Sequence, residues 1–415
     1  LVLHVISKGA TEYQGNQIET TLADGARIQS DAVYEISYRA RWLSGASILN
    51  TRLYFNRAAK STVLNVPTNN GTPGARNSSI VTNSGPTFGK LRHFPTIPAA
   101  GQEAKVMVSA HDPDGIASAV LHFRDDGRDW ERAPMTVDEN GLLEGMVPGT
   151  TNDRIVQFYV EAVDTLGMAA TVPSAGQDSR ALLRRPSLFG ESGGNGVVED
   201  FRVLMLQADA EQLHASGINT LSNERLPCTV IDGDVAHYDA SVRLKGSFVG
   251  RDAERVGFNI RFPEDNLFRG IHPKVSIDRS THANIGVDEV IIKHIATRAG
   301  GIPGMYDDIV HFFAPKKEHT GRALMRIAGF DDVYLDSQFP NGSEGTMYEY
   351  EVYRWATTTV DRDPESVKNA GSLSAPNGFV TIPFQDLGDN KEDYRWHTLI
   401  NNNRSRDDYE AIMAF

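Results

Sequence analysis

The sequence predicts a multidomain chain in which all-β sandwich modules precede an α+β domain. Three observations lead there. Across residues 86–184, short apolar/polar alternations such as Ala104 to Ala110, Ala117 to Arg124 and Ile155 to Val163 recur between turn clusters. Polar, Gly/Pro/Ser-rich stretches at 68–85 and 185–196 interrupt the pattern on either side. After residue 197, strand alternation mixes with a helical repeat at 287–298. The expected map is a partial β-sandwich over 1–67, a linker over 68–85, a sandwich over 86–184, a linker over 185–196 and a last domain over 197–415.

Composition narrows the function classes. The 415 residues are 40% hydrophobic and 23% charged, enough for sizeable cores, and carry a formal net charge of −13. A surface that negative argues against a nucleic-acid partner. No apolar run reaches the length of a transmembrane segment. The single cysteine, Cys228, has no intrachain disulfide partner and reads as a buried small hydrophobe beside Val230.

In chain order, Val33–Tyr38 and Ile48–Phe55 alternate as strands around Ser44-Gly45-Ala46. This stretch is similar to the last strands of jelly-roll, galactose-binding-like modules of secreted bacterial proteins. Arg39, Arg41, Trp42, Arg52 and Tyr54 would then offer a sugar a stacking ring beside charged donors; otherwise Trp42 is core and the arginines a solvated face. Residues 86–184, with turns at Asp112–Gly115, Asp125–Gly127 and Glu139–Gly141, suggest about seven strands and resemble the immunoglobulin or fibronectin type III spacers of bacterial surface proteins. Asp112, Asp114, Asp125 and Asp126 either gather calcium or simply form turns. The glycine-rich 185–196 run lacks phosphate-loop spacing and reads as a linker.

The last domain opens on a strand at Phe201–Leu206, and Asp209 is placed to cap a helix over 210–216. In Asp239–Pro263, Val242 and Leu244 alternate with Arg243 and Lys245, then Phe258, Ile260 and Phe262 with Asn259 and Arg261. Two strands follow, each with a polar face. Val287, Val290, Ile291 and Ile295 predict a helix with Asp288 and Glu289 in its first turn, ended by Gly300-Gly301. Residues 306–356 read as strands with a short helix, and 357–393 as a surface excursion.

The segments "VRLKGS", "ERVGFNIRFPEDNLFRGIHPKVSIDRS", "YDDIVHFF", "LDSQFPNGSEGTMYEYE" and "YRWHTLINNNRSRDDYEAIMAF" resemble the CotH kinase (spore-coat protein H-like) family. The resemblance implies an α+β atypical kinase-like domain, incomplete at its C-terminus, in a protein outside the cell or at its surface. It also implies ATP and Mg2+ as cofactors and the phosphorylation of hydroxyls on a protein substrate. Phosphate oxygens need fixed positive charge on a strand, held by a carboxylate. Lys245, Arg255 and Arg261 would supply the first and Glu289 the second; otherwise the arginines and Glu289 form a partly exposed ion pair.

Other residues add less. Tyr306–His311, as a strand, would place Asp307 and His311 on one face and Asp308 on the other, so no metal site converges there. The family's catalytic aspartates have no counterpart before Phe415, and the catalytic residues are unknown from this sequence. Ser405 is positioned to cap a helix bearing Tyr409, Ile412 and Met413. The chain therefore reads as a fragment, with those apolar residues uncovered and no catalysis of its own. Val256, Gly257 and Asn259 stand where the family commonly carries lysine, serine and a basic residue. They favour the alternative of a non-catalytic adhesion or carbohydrate-binding surface protein.

Overall fold

The computed structural model describes residues 35–41, 48–53, 58–64, 82–138, 141–149, 154–185, 198–215, 225–246, 251, 256–278, 287–350, 384–395, 398–403 and 406–415. The chain divides into two compact units, one of Leu1–Ser78, Gly217–Glu224 and Phe330–Phe415, the other of Ser79–Ser216 and Arg225–Gly329. Among the described residues no helix is long and apolar enough to cross a membrane.

In the first unit β1 (Ile48–Leu53) pairs antiparallel with β2 (Ala58–Val63). The strand expected over 33–38 is absent from its described part, because Glu35–Arg41 belong to no strand and are exposed. Alternation makes a strand possible, but only a hydrogen-bonding neighbour makes one. Arg39 and Arg41 are therefore solvated, while the side chains of Trp42, Arg52 and Tyr54 fall outside the described residues.

The second unit begins with a two-sheet sandwich. Its strands are β3 (Thr87–Phe94), β4 (Ala104–His111), β5 (Ile116–Asp125), β6 (Glu131–Pro134), β7 (Thr136–Val137), β8 (Leu142–Val147), β9 (Arg154–Asp164), β10 (Ala169–Val172) and β11 (Ala181–Arg185). One sheet runs β3-β4-β8-β7 and the other β10-β9-β5-β6, with β11 also on β9. Inward residues such as Val106, Val108, Leu121, Phe158 and Val160 are fully buried between them, which is the period-two pattern read from the sequence. Gly115, Gly127 and Gly141 take left-handed φ of 90°, 74° and 77° at the three expected turns.

The calcium reading fails on topology. Asp112 and Asp114 precede β5 while Asp125 and Asp126 lie at its far end, about 30 Å along an extended chain. Their carboxylates have other tasks. Asp112 accepts from Asp114 N at 2.9 Å in a turn, and Asp125 lies 3.8 Å from Arg154.

A closed barrel follows, of β12 (Glu199–Leu204), β13 (Leu226–Asp232), β14 (Val235–Lys245), β15 (Gly257–Arg261), β16 (Lys274–Ile277), β17 (Asp307–Phe313) and β18 (Gly321–Ile327). The order is β12-β13-β14-β15-β16-β18-β17, antiparallel except where β12 and β17 close the ring in parallel. Its interior holds Phe201, Val230, Val242, Phe258, Ile260, Val275, Ile277, Val310 and Phe312, with Cys228 buried as expected. Burial pushes the Cys228 thiol well above its usual range, so it stays a protonated hydrophobe.

Helix α1 (Gln207–Leu213) joins β12 to the segment before β13, and α2 (Val287–Gly300) precedes β17. Asp209 is not the cap of α1. It lies in the first turn and binds Arg180 Nε at 2.7 Å, while Asp126 Oδ2 receives Gln207 N at 2.6 Å. The capping oxygen thus comes from the sandwich. Helix α2 ends as expected at Gly301, whose φ is 63°.

Sandwich and barrel meet along β11, β13 and β14. Leu182 N donates to Thr229 Oγ1 at 2.9 Å, and that hydroxyl donates to Arg180 O. Leu182, Leu204, Leu206 and Ile231 form a buried cluster there. His93 Nε2 lies 3.0 Å from Thr96 O, which only accepts, so Nδ1 receives the Tyr238 hydroxyl at 2.7 Å.

One end of the barrel is closed by charge. Arg326, fully buried, binds Asp232 at 2.7 Å, Glu199 at 3.1 Å, Tyr306 Oη at 3.0 Å and Asp308 at 3.3 Å. Its guanidinium also lies 5.0 Å from the Phe201 ring centre and 4.8 Å from that of Phe268.

The first unit resumes with α3 (Asp332–Gln338), β19 (Tyr348–Tyr350), α4 (Lys391–Arg395), β20 (Thr398–Ile400) and α5 (Glu410–Ala414). Strands β19 and β20 pair antiparallel. The apolar residues expected to be uncovered are not. Tyr409 is buried with Tyr394 and Ile400, and Ile412 and Met413 pack on them. Residues 357–383 of the expected surface excursion lie outside the described residues.

Candidate oxyanion-binding face

Because β14, β15 and β16 line the barrel with every second residue, the intervening side chains share its outer surface. Arg243, Lys245, Asn259, Arg261, Lys274 and Ser276 alternate with the buried Val242, Leu244, Phe258, Ile260, Val275 and Ile277. Register sets them in rows. Arg243 stands opposite Asn259 and Asn259 opposite Ser276, while Ser241 stands opposite Arg261 and Arg261 opposite Lys274. Since Leu226 pairs with Val242, Arg225 continues the row of Arg243.

Two of the nucleotide-binding residues expected from the sequence, Lys245 and Arg261, are brought to this face. Lys245 Nζ binds Asp278 Oδ2 at 2.6 Å, with both side chains about one third exposed. Its carboxylate is therefore Asp278, two strands away, rather than Glu289. Arg261 is exposed. Glu289 is exposed in the first turn of α2 and pairs with no cation among the described residues. That helix is tied instead to β17 by Lys293 and Asp307. Arg255 lies outside the described residues.

Arg225 and Lys274 escaped the sequence reading. Arg225 precedes its strand among polar residues, and only the β13–β14 register carries it to Arg243. Its Nη1 donates to Asn259 O at 3.2 Å and Ser241 O at 3.5 Å, and its Nη2 to Asn259 Oδ1. The amide of Asn259 then donates to Ser276 Oγ at 2.9 Å. Burial, then the charges of Arg243 and Arg261, pull the Arg225 pKa down to about 10, which still leaves it cationic at neutral pH.

The remaining candidates do not form a centre. Asp307 pairs with Lys293, Asp308 lies 3.3 Å from Arg326 and His311 Nδ1 lies 3.3 Å from Asp200 Oδ1, so the three diverge as expected. Among the described residues no group of three or more His, Cys, Asp or Glu side chains is placed to hold a metal ion. The cations here suit phosphate oxygens. A carboxylate set for Mg2+ is not among the described residues, and no step is derived through that ion.

No family model matches the sequence, and no curated protein matches it. Among solved structures the chain is similar to a cycloalternan-degrading enzyme from Trueperella pyogenes, at 8% identity and a TM-score of 0.18, over 46% of this chain and 28% of that one.

Proposed function

We propose that the barrel is the phosphate-receiving lobe of a CotH-type atypical kinase-like domain, in a multidomain protein displayed outside the cell or at its surface. The observation that carries this is the Lys245–Asp278 pair, on the same outer face as Arg261. A lysine on a strand, oriented by a carboxylate at 2.6 Å and open to solvent, is the arrangement phosphoryl transfer uses to hold phosphate oxygens. Bound ATP with Mg2+ would supply the transferable phosphoryl group to a protein hydroxyl. What this chain's own residues do is attract, orient and partly neutralise the phosphates.

Calorimetric titration of the whole chain with ATP, with and without Mg2+, tests the reading. Lys245→Ala is expected to weaken ATP binding about tenfold or more, the worth of one charge-assisted contact. Asp278→Asn is expected to weaken it too, with Glu289→Gln close to wild type. Unchanged affinity in Lys245→Ala would remove the proposal.

A second reading, a non-catalytic adhesion protein that binds carbohydrate, is favoured by a feature of the sandwich. Trp130 and Tyr159 are half-exposed on one sheet face, with ring centres 5.1 Å apart and Arg124 lying 4.6 Å above the indole. Half-exposed rings beside a cation suit sugar faces and hydroxyls. Glycan-array binding that Trp130→Ala abolishes, with no ATP binding, would select it.

A further inference from the structure

The Arg225 side chain is half-buried, yet among the described residues no carboxylate pairs with it. Its contacts among the described residues are two backbone carbonyls and the Asn259 side chain, all neutral. Arg243 and Arg261 stand near enough to lower its pKa, so the charges it meets repel it. A half-buried cation left like this costs stability unless something anionic completes it. One carboxylate on this face, Asp278, is engaged by Lys245.

The surrounding donors point the same way. Of the five guanidinium N–H groups, the three contacts leave Nε–H and one Nη2 hydrogen for a ligand. Asn259 spends its oxygen on Arg225 and its amide on Ser276 Oγ, so the Ser276 hydroxyl hydrogen is left to donate outward. Arg261 and Lys274, opposite each other in the next row, add positive charge two residues further along the strands, about 7 Å from Asn259 and Ser276.

We propose that Arg225 anchors a binding site for a tetrahedral oxyanion, a phosphate or sulfate ester group, formed with Arg243, Arg261, Lys274 and the Ser276 hydroxyl on the outer face of β14–β16. The site deepens the phosphate-receiving reading and rests on it for the face used. Arg225 acts there as a half-buried fork held in place by Asn259, and the exposed Arg261 closes on the ligand from solvent.

The test is isothermal titration of the whole chain, at low ionic strength, with inorganic tripolyphosphate and with a sulfated disaccharide, in wild type, Arg225→Gln, Arg225→Lys and Arg261→Ala. Wild type should bind at least one of the two, and the tighter ligand identifies the source as phosphate or sulfate ester. Arg225→Gln and Arg261→Ala should each weaken binding about tenfold or more, and added salt should weaken wild type most. Arg225→Lys keeps the charge but loses the fork, and should fall between.

Should Arg225→Gln fail to fold, Arg225→Lys and the surface variant Arg261→Ala decide alone. Failure of wild type to bind either oxyanion, or equal binding across the variants, would overturn the site. Tripolyphosphate binding that depends on Arg225, with ATP bound no tighter than tripolyphosphate, keeps this site and removes the nucleotide reading. ATP binding that needs Lys245 but ignores Arg225 does the reverse.

Discussion

Arg326 shows how much a single residue can carry. Its guanidinium has no exposed surface and is compensated by Asp232, Glu199, Asp308 and the Tyr306 hydroxyl. Removing it leaves those carboxylates facing one another, with Arg269, which binds both Glu199 and Asp232, as a neighbouring cation among the described residues. Arg326→Ala is therefore expected to cost about 3–5 kcal/mol, the usual result of breaking a buried ion pair from one side. Arg326→Met, which keeps the packing between Phe201 and Phe268, should cost less than Arg326→Ala. Urea midpoints of the two variants check this, and equal losses would show that charge alone decides. Nothing in the sequence around Arg326 marks it as buried, because its partners come from β12, the β13 end and β17.

Among the elements, the β14–β15 pair was the most legible. Alternation from Val242 to Lys245 and from Phe258 to Arg261 named the buried and the outer residues correctly, because both strands have one face in an apolar barrel. This gives a sharp expectation for neighbouring positions. Ile260→Ala should destabilise by about 2–5 kcal/mol, whereas Arg261→Ala should stay within about 0.5 kcal/mol. Comparable losses at both would contradict the assigned faces. Elements whose partners are distant were less legible. Glu35–Arg41 alternates well yet joins no strand, and Asp209 looks like a cap yet serves Arg180, because Asp126 of the sandwich caps α1 instead. Helix α2 shows the same limit, since its periodicity was right while Ile291 and Ile295 remain exposed.

At the scale of the whole second unit, sandwich and barrel are joined by a buried joint rather than by the glycine-rich run alone. Protease cutting within 186–196 should therefore leave the two pieces associated, and they should elute together in native gel filtration. Separate elution would show that the joint does not hold without the chain connection. Two histidines, His93 buried at the joint and His214 half-buried against the barrel's Phe258, also set a pH dependence. Burial brings His93 down from 6.5 to about 4, partly offset by its bond to Thr96 O, and His214 down to about 3, helped by His319 and Lys316. Below pH 6.5 the unfolded chain binds these protons and the folded one does not, so stability is full above that pH and falls with acidification toward the folded values. The slope is about 1.4 kcal/mol per pH unit for each histidine. His93→Gln should flatten the loss between pH 6.5 and 4.5 in urea titrations, and an unchanged slope would exclude His93 as a source.

What the sequence by itself determined was local: the alternating strands and their turns, the buried Cys228, the polar stretches at 68–85 and 185–196, and the outer placement of Lys245 and Arg261. Such features depend on residues a few positions apart, where side-chain period and backbone preference act directly. The tertiary structure alone decided the partnerships. It closed seven strands into a barrel, gave Lys245 to Asp278 rather than Glu289, separated Asp112 from Asp125 along β5, and carried Arg225 onto the basic face. Register between distant strands is a collective outcome of burial and hydrogen bonding, and no short stretch of this chain encodes which cation will meet which anion.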